Sequence, residues 1–141
     1  MTYFVDTSVI MYAGGEEHAQ REPCRTVLRN IAEGSLEATT STEVVQEILH
    51  RFARGRRQVG GRMARSVLDL FDQMLPIERA TIADAVSRYE NHPQLSARNA
   101  LHVATCVQHG IQEVISVDTG FDLVTEVRRI GPAEACKPAA R

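Results

Sequence analysis

Apolar and polar positions change period several times along the chain. Tyr3-Phe4-Val5 is a short apolar run halted by Asp6-Thr7-Ser8, the pattern of a buried strand feeding a helix through polar capping residues. Across residues 19–33 the spacing becomes helical, with Val27, Leu28 and Ile31 on one stripe and Gly34 positioned to end it. A second strand is expected at residues 36–39. Thr40-Ser41-Thr42-Glu43 fits a capping box, in which a hydroxyl and a carboxylate three residues apart exchange hydrogen bonds with the first helical amides. The helix it opens reads to about Arg54 and carries Val44, Val45, Ile48, Leu49 and Phe52. Gly55, Gly60 and Gly61 break the chain before another amphipathic helix with Met63, Val67, Leu68 and Phe71 at helical spacing.

Leu75-Pro76-Ile77 reads as a weak third strand, and residues 82–90 and 96–109 as helices separated by a turn at Asn91-His92-Pro93. Gly110 ends the second. Ala97, Ala100, Leu101, Val103, Ala104 and Val107 cover most of that helix's circumference, which predicts deep packing. Val114-Ile115-Ser116-Val117 is the last clear strand. The Pro- and Ala-rich stretch after Gly131 reads as loose, giving a domain at residues 1–131 and a tail at 132–141. Alternating strands and helices require helical crossovers, so the expected fold is α/β: a three-layer α/β/α sandwich around a central, mainly parallel sheet.

The chain's 141 residues suit one domain. A formal net charge of −2 excludes a protein that coats nucleic acid through overall charge, so any such contact must be local. Arg51, Arg54, Arg56, Arg57, Arg62 and Arg65 offer that locality, as phosphate contacts or as a solvated run complementing a helix C-terminus. The only aromatic residue among them is Phe52, which belongs to the apolar stripe of the preceding helix, so base stacking is not supported in this segment. No apolar run has membrane-spanning length, and the start of the chain lacks a basic leader with an apolar stretch; the expected location is cytoplasmic. Cys24, Cys106 and Cys136 are scattered without paired spacing, which points to reduced thiols, Cys106 acting as a buried small hydrophobe.

Ligands of open α/β sheets bind beyond the carboxyl ends of the strands. Asp6 follows the first strand and Asp118 the last, so their carboxylates meet if those strands are neighbours; singly, each serves equally well as a helix cap. Glu43 and Glu47 lie one helical turn apart. Glu43 reads as a solvated flank, whereas Glu47 borders the apolar stripe and fits either reading. Clustered carboxylates repel one another and need a divalent cation, and an oxygen-only set favours Mg²⁺ or Mn²⁺ over zinc. Such an ion activates water and stabilises the charge of a reacting phosphodiester. His102 and Cys106, one turn apart, cannot close a zinc site, so His102 reads as a satisfied core or subunit-interface histidine.

Phe4-Val5-Asp6-Thr7-Ser8-Val9, Val44-Val45-Gln46-Glu47-Ile48-Leu49, Leu95-Ser96-Ala97-Arg98-Asn99-Ala100-Leu101-His102-Val103-Ala104 and Ile115-Ser116-Val117-Asp118-Thr119-Gly120-Phe121-Asp122 occur in an order and spacing that resemble PIN-domain ribonucleases, specifically VapC toxins. The resemblance spans the chain to about Ile130. It implies a Mg²⁺- or Mn²⁺-dependent endoribonuclease that cleaves structured RNA such as tRNA or rRNA to inhibit translation, usually as a homodimer and with a VapB-type antitoxin as partner. It carries Asp6, Glu47, Asn99 and Asp118 over as the catalytic set, with Asp6, Asn99 and Asp118 as metal ligands. Thr7 and Asp122 are carried over as supporting residues.

One position departs from the pattern. Where the family normally has Asp before Ala100-Leu101-His102, this chain has Asn99, which keeps the shape and a carbonyl oxygen but not the charge that holds a hard cation. The expectation is a weakened or inactive centre, whether the site is naturally weakened or the change was introduced. An alternative is a catalytically silent PIN-like module that binds RNA or a partner. A receiver-like or phosphatase-like domain using Asp6 as nucleophile is disfavoured, because the chain's single lysine is Lys137 in the tail.

Overall fold

The chain runs β1 (Tyr3–Val5), α1 (Thr7–Ala13), α2 (Arg21–Ala32), β2 (Ala38–Thr39), α3 (Thr42–Arg51), α4 (Arg57–Leu70), α5 (Arg79–Asn91), α6 (Ala97–Gln108), β3 (Glu113–Ile115), a 3-10 helix (Thr119–Leu123), β4 (Arg128–Ile130) and α7 (Pro132–Ala135) in a computed structural model that describes residues 1–138. Its four strands form one parallel sheet in the order β2-β1-β3-β4. Phe4 pairs with Val114 and Val5 with Ile115, so the first strand lies directly beside the third. From β1 the chain first builds outward to β2, then returns to lay β3 on the other side. The crevice where the direction reverses lies at the carboxyl ends of β1 and β3.

Both central strands are buried, with Phe4, Val5, Val114 and Ile115 at 0% exposure. A strand covered on both faces must be apolar throughout, which is why these runs do not alternate. Helices α7, α2, α1, α3 and α4 pack one on the next in that order, while α5 pairs with α6. This is the expected α/β/α sandwich. Within α6, Ala100, Val103, Ala104 and Cys106 are buried as expected, but Leu101 is half-buried and Ala97 and Val107 are exposed, so the deep packing covers only part of the helix's circumference. Gly34 and Gly110 follow α2 and α6 in the left-handed region, at φ 81° and 69°, and stop both helices without a Cβ penalty.

Several local expectations are corrected. The capping box at the start of α3 is not made: Thr40 donates its hydroxyl to the Val5 carbonyl, and Ser41 caps by backbone alone. Gly60 and Gly61 lie inside α4 instead of breaking the chain before it. The segment at Leu75 contributes only a single bridge to Ser41, since Pro76 has no amide to continue a ladder. Arg128–Ile130 forms an edge strand that carries no apolar run. Beyond Gly131, the expected loose tail instead starts as α7, which packs on α2 with Pro132 buried and Cys136 against the Pro23 carbonyl. The tail's last residues, 139–141, lie outside the described region. Among the described residues no helix is long and apolar enough to cross a membrane.

Candidate active site

Asp6 is the first residue after β1 and the N-cap of α1. Its Oδ2 accepts from the Ser8 amide at 3.3 Å and from the Ser116 hydroxyl at 2.7 Å. Asp118 caps the 3-10 helix after β3, with Oδ1 accepting from the Gly120 amide at 2.8 Å. Capping and site formation are therefore one arrangement: the caps fix both carboxylates at the sheet's switch point. Ser116 joins the two halves, since it also accepts from the Asp118 amide at 2.9 Å and lies 3.2 Å from the Ser8 hydroxyl. The Ser8 hydroxyl in turn accepts from the Val117 amide.

Glu47 reaches the same place from α3 and is 5% exposed. Its Oε1 lies 3.4 Å from His102 Nε2, which is also 3.7 Å from Asp6 Oδ1. Burial acts to raise the Glu47 carboxyl, but His102, the Thr7 hydroxyl and the Arg51 guanidinium outweigh it and hold the group below its ordinary range. Glu43 sits outside the pocket lining, where burial raises its carboxyl, with Glu47 adding to this against the pull of His102. It lies on the flank of α3 as expected, but half-buried instead of solvated.

Asn99, 6% exposed near the start of α6, donates from Nδ2 to Asp118 Oδ2 at 2.9 Å. A carboxylate at this position would face Asp118 with like charge; the amide replaces that repulsion with a charge-assisted hydrogen bond. The packing is close. A Cβ on Gly120 would stand 2.7 Å from Asn99 Nδ2 and 3.0 Å from Asp118 Oδ1, so only glycine lets the 3-10 helix pass.

Asp6, Glu47, Asn99 and Asp118 line one cavity of about 990 Å³, together with Ser8, Arg51 and Arg98. Thr7 lies beneath it, fully buried, with no aligned partner for its hydroxyl. Asp122 does not join the cavity: its carboxylate pairs with Arg129 of β4 at 3.1 and 3.2 Å. Of the six arginines offered as phosphate contacts, Arg51 lines the cavity. Arg56, Arg57 and Arg62 line a separate hollow of about 410 Å³, with Arg56 stacked over Phe52 at 5.6 Å, and Arg54 and Arg65 are exposed beside neither.

His102 is not the satisfied histidine expected: it is fully buried and neither ring nitrogen has an aligned hydrogen-bond partner. Cys106 is buried, its thiol pushed up to about 12 by burial and by Asp6, which fits the role of a small hydrophobe. Sequence reasoning missed Ser116 and Arg98. Ser116 stands two residues before Asp118, and Arg98 directly precedes Asn99; proximity to those residues was the available signal.

An all-parallel sheet with acidic groups gathered at its switch point defines an α/β domain with a polar, oxygen-rich centre. The family model described as PIN domain matches residues 3–127. Ribonuclease VapC13 of Mycobacterium tuberculosis is 34% identical over 130 residues, covering 89% of this chain and 97% of the relative. Ribonuclease VapC7 of the same organism is 32% identical over 133 residues, covering 93% and 92%. The chain belongs to the PIN-domain family and, within it, to the VapC group. The crystal structure of FitAcB from Neisseria gonorrhoeae shares the fold at a TM-score of 0.69 and 22% identity, over 94% of this chain and 98% of that one. VapBC-5 from Mycobacterium tuberculosis, a member of the VapBC family of toxin-antitoxin systems, does so at 0.61 and 14%, over 92% and 98%.

Proposed function

We propose that the chain is the toxin of a toxin-antitoxin pair, built to cleave structured RNA, tRNA or rRNA among them, by metal-assisted phosphodiester hydrolysis. The observation that carries this reading is the convergence of Asp6, Glu47, Asn99 and Asp118 on one cavity. The donor set is all oxygen, which suits Mg²⁺ or Mn²⁺. Among the described residues no three His, Cys, Asp or Glu side chains stand close enough to cage an ion unaided. Water would have to complete the shell, as Mg²⁺ ordinarily requires. Asp6, Asp118 and the Asn99 carbonyl oxygen would hold the ion; when bound, it would activate water and offset charge on the phosphate.

The protein's own groups do the positioning. Ser116, backed by Ser8, ties the Asp6 carboxylate to the Asp118 backbone amide, and the Thr7 hydroxyl acts on Glu47. Glu47 is held ionised, an acceptor for the hydrogens of a water in the cavity. Arg51 and Arg98 stand at the rim as partners for phosphate oxygens. Asn99 disarms this centre by supplying a neutral ligand whose amide already occupies Asp118.

The expected partner is a VapB-type antitoxin that covers the acidic cavity with a basic side chain and an apolar anchor; a homodimer and cytoplasmic action follow the same family reading. That hydrogen bond also favours a second reading, a silent module that binds RNA without cutting it. A cleavage assay on tRNA and ribosomal RNA fragments decides between them. The chain as it stands is expected to be inert or nearly so, and Asn99→Asp to cut with Mg²⁺ or Mn²⁺ and stop with chelator. An inert Asn99→Asp form that still binds RNA would favour the silent module.

A further inference from the structure

We infer that Tyr12 and His18 form a stacking platform in the cavity, on which one unpaired base of the RNA is held. This deepens, and rests on, the reading of the cavity as an RNA site. Besides its acids and arginines, the cavity is lined by Met11 and Tyr12 from the end of α1 and by His18 from the segment that follows. The Tyr12 and His18 rings lie with centroids 4.8 Å apart, inclined by 44°. Tyr12 is half-buried and packed on the core; His18 is exposed.

The pair is built and held. His18 Nδ1 accepts from the Gln20 amide at 3.1 Å, which fixes the ring and leaves Nε2 to carry a proton outward. Between the two rings the chain turns at Gly14 and Gly15, where a Cβ on Gly15 would stand 2.9 Å from the Met11 carbonyl oxygen. That close approach lets His18 come back against Tyr12. An exposed aromatic pair beside a phosphate-binding arginine is the chemistry of single-strand recognition: every base has a π-face to stack, and the cations follow the backbone. In an A-form helix those faces are occupied by neighbouring bases and the major-groove edges are out of reach, so only an unpaired base can enter. A cavity of about 990 Å³ is ample for it.

The test uses the chain as it stands, in chelator, with a fluorescein-labelled eight-nucleotide RNA and the blunt duplex of the same sequence, read by anisotropy. A second copy of the single strand carries 2-aminopurine, whose fluorescence is quenched on stacking. Tyr12→Ala and His18→Ala are expected to weaken single-strand binding by about 5- to 100-fold and to abolish the quench. Tyr12→Phe should stay within about twofold of the parent, and none of the three should change duplex affinity. Arg98→Ala should weaken both.

Thermal melts identify any alanine form that fails to fold; the exposed His18→Ala and the isosteric Tyr12→Phe then carry the comparison. Folded Tyr12→Ala and His18→Ala forms that bind and quench like the parent would overturn the inference, as would a preference for duplex. If Asn99→Asp cuts RNA while the stacking variants lose nothing, only this inference fails. If no form binds or cuts any RNA, the ribonuclease reading fails and takes this one with it.

Discussion

Gly60 and Gly61 sit side by side in α4, yet alanine should have opposite effects at the two positions. In a helix interior, alanine is favoured over glycine by about 1 kcal/mol, because glycine loses more backbone freedom on folding. At Gly61 a Cβ would meet nothing within 4 Å, so Gly61→Ala should collect most of that gain. At Gly60 the Cβ would stand 2.6 Å from Phe52 Cβ and 3.2 Å from its Cγ. The Cβ of Phe52 is tied to the backbone at the C-cap of α3 and cannot rotate away, so α4 must move. Such overpacking typically costs about 1–3 kcal/mol, leaving Gly60→Ala net destabilised by up to about 2 kcal/mol. The two variants should differ by about 1–3 kcal/mol, or roughly 3–10 °C in melting temperature for a chain of this size. Thermal and urea unfolding followed by circular dichroism give both numbers. Because α3 carries Glu47 and Arg51, Gly60→Ala should also disturb the cavity while Gly61→Ala should not. Equal stabilisation by both variants would refute the account of how α4 rests on α3.

Two further outcomes follow from titratable groups away from the cavity. The buried thiol of Cys24 is pushed up to about 12 by burial, then by Cys136, and that of Cys106 to about 12 by burial, then by Asp6; burial also raises the half-buried Cys136. At pH 8 a thiol reagent should therefore label Cys136 first, and Cys24 and Cys106 only on unfolding, as mass spectrometry would locate. Glu126 lies below its ordinary 4.5, held there by backbone amides, first its own, and by Arg88 at 2.8 Å, which also pairs with Asp84. A depressed folded value means the stabilisation is present above 4.5 and fades as the pH falls through the lower folded value. Glu126→Gln should thus cost less than about 1 kcal/mol at pH 7, given its exposure, and the difference should shrink in acid unfolding curves.

The parts of the fold legible in the sequence were those whose local pattern and tertiary role agree. Tyr3-Phe4-Val5 and Val114-Ile115 are apolar because they are central strands, and Ala100, Val103 and Ala104 of α6 are apolar because they are buried. What failed were positions where a distant contact overrode local chemistry. Glycine reads as a break, but Gly60 is the residue that lets α4 approach Phe52. Thr40 matched a cap, but its hydroxyl is taken by the Val5 carbonyl of a neighbouring strand. Arg128-Arg129-Ile130 has no strand pattern because an edge strand need bury little, and its arginines serve Glu113 and Asp122. Asp6 and Asp118 were legible as positions directly after strands, and Glu47 as a helix position bordering an apolar stripe. The serine bridge through Ser116 and the Tyr12–His18 pair were not, since each exists only once separate segments meet in space.

The central claim is that the cavity is a cation site in which Asn99 substitutes an internal hydrogen bond for charge. Melting the parent and Asn99→Asp in chelator and then in rising Mn²⁺ tests it without reference to catalysis. In chelator Asn99→Asp should be the less stable by about 2–3 kcal/mol, because it loses a hydrogen bond to a charged acceptor and sets a carboxylate against Asp118. Mn²⁺ should then stabilise it selectively, by about 2.7 kcal/mol at a hundred times the dissociation constant, enough to erase the deficit while the parent hardly moves. Parallel curves for the two forms, with no metal-dependent convergence, would contradict the account.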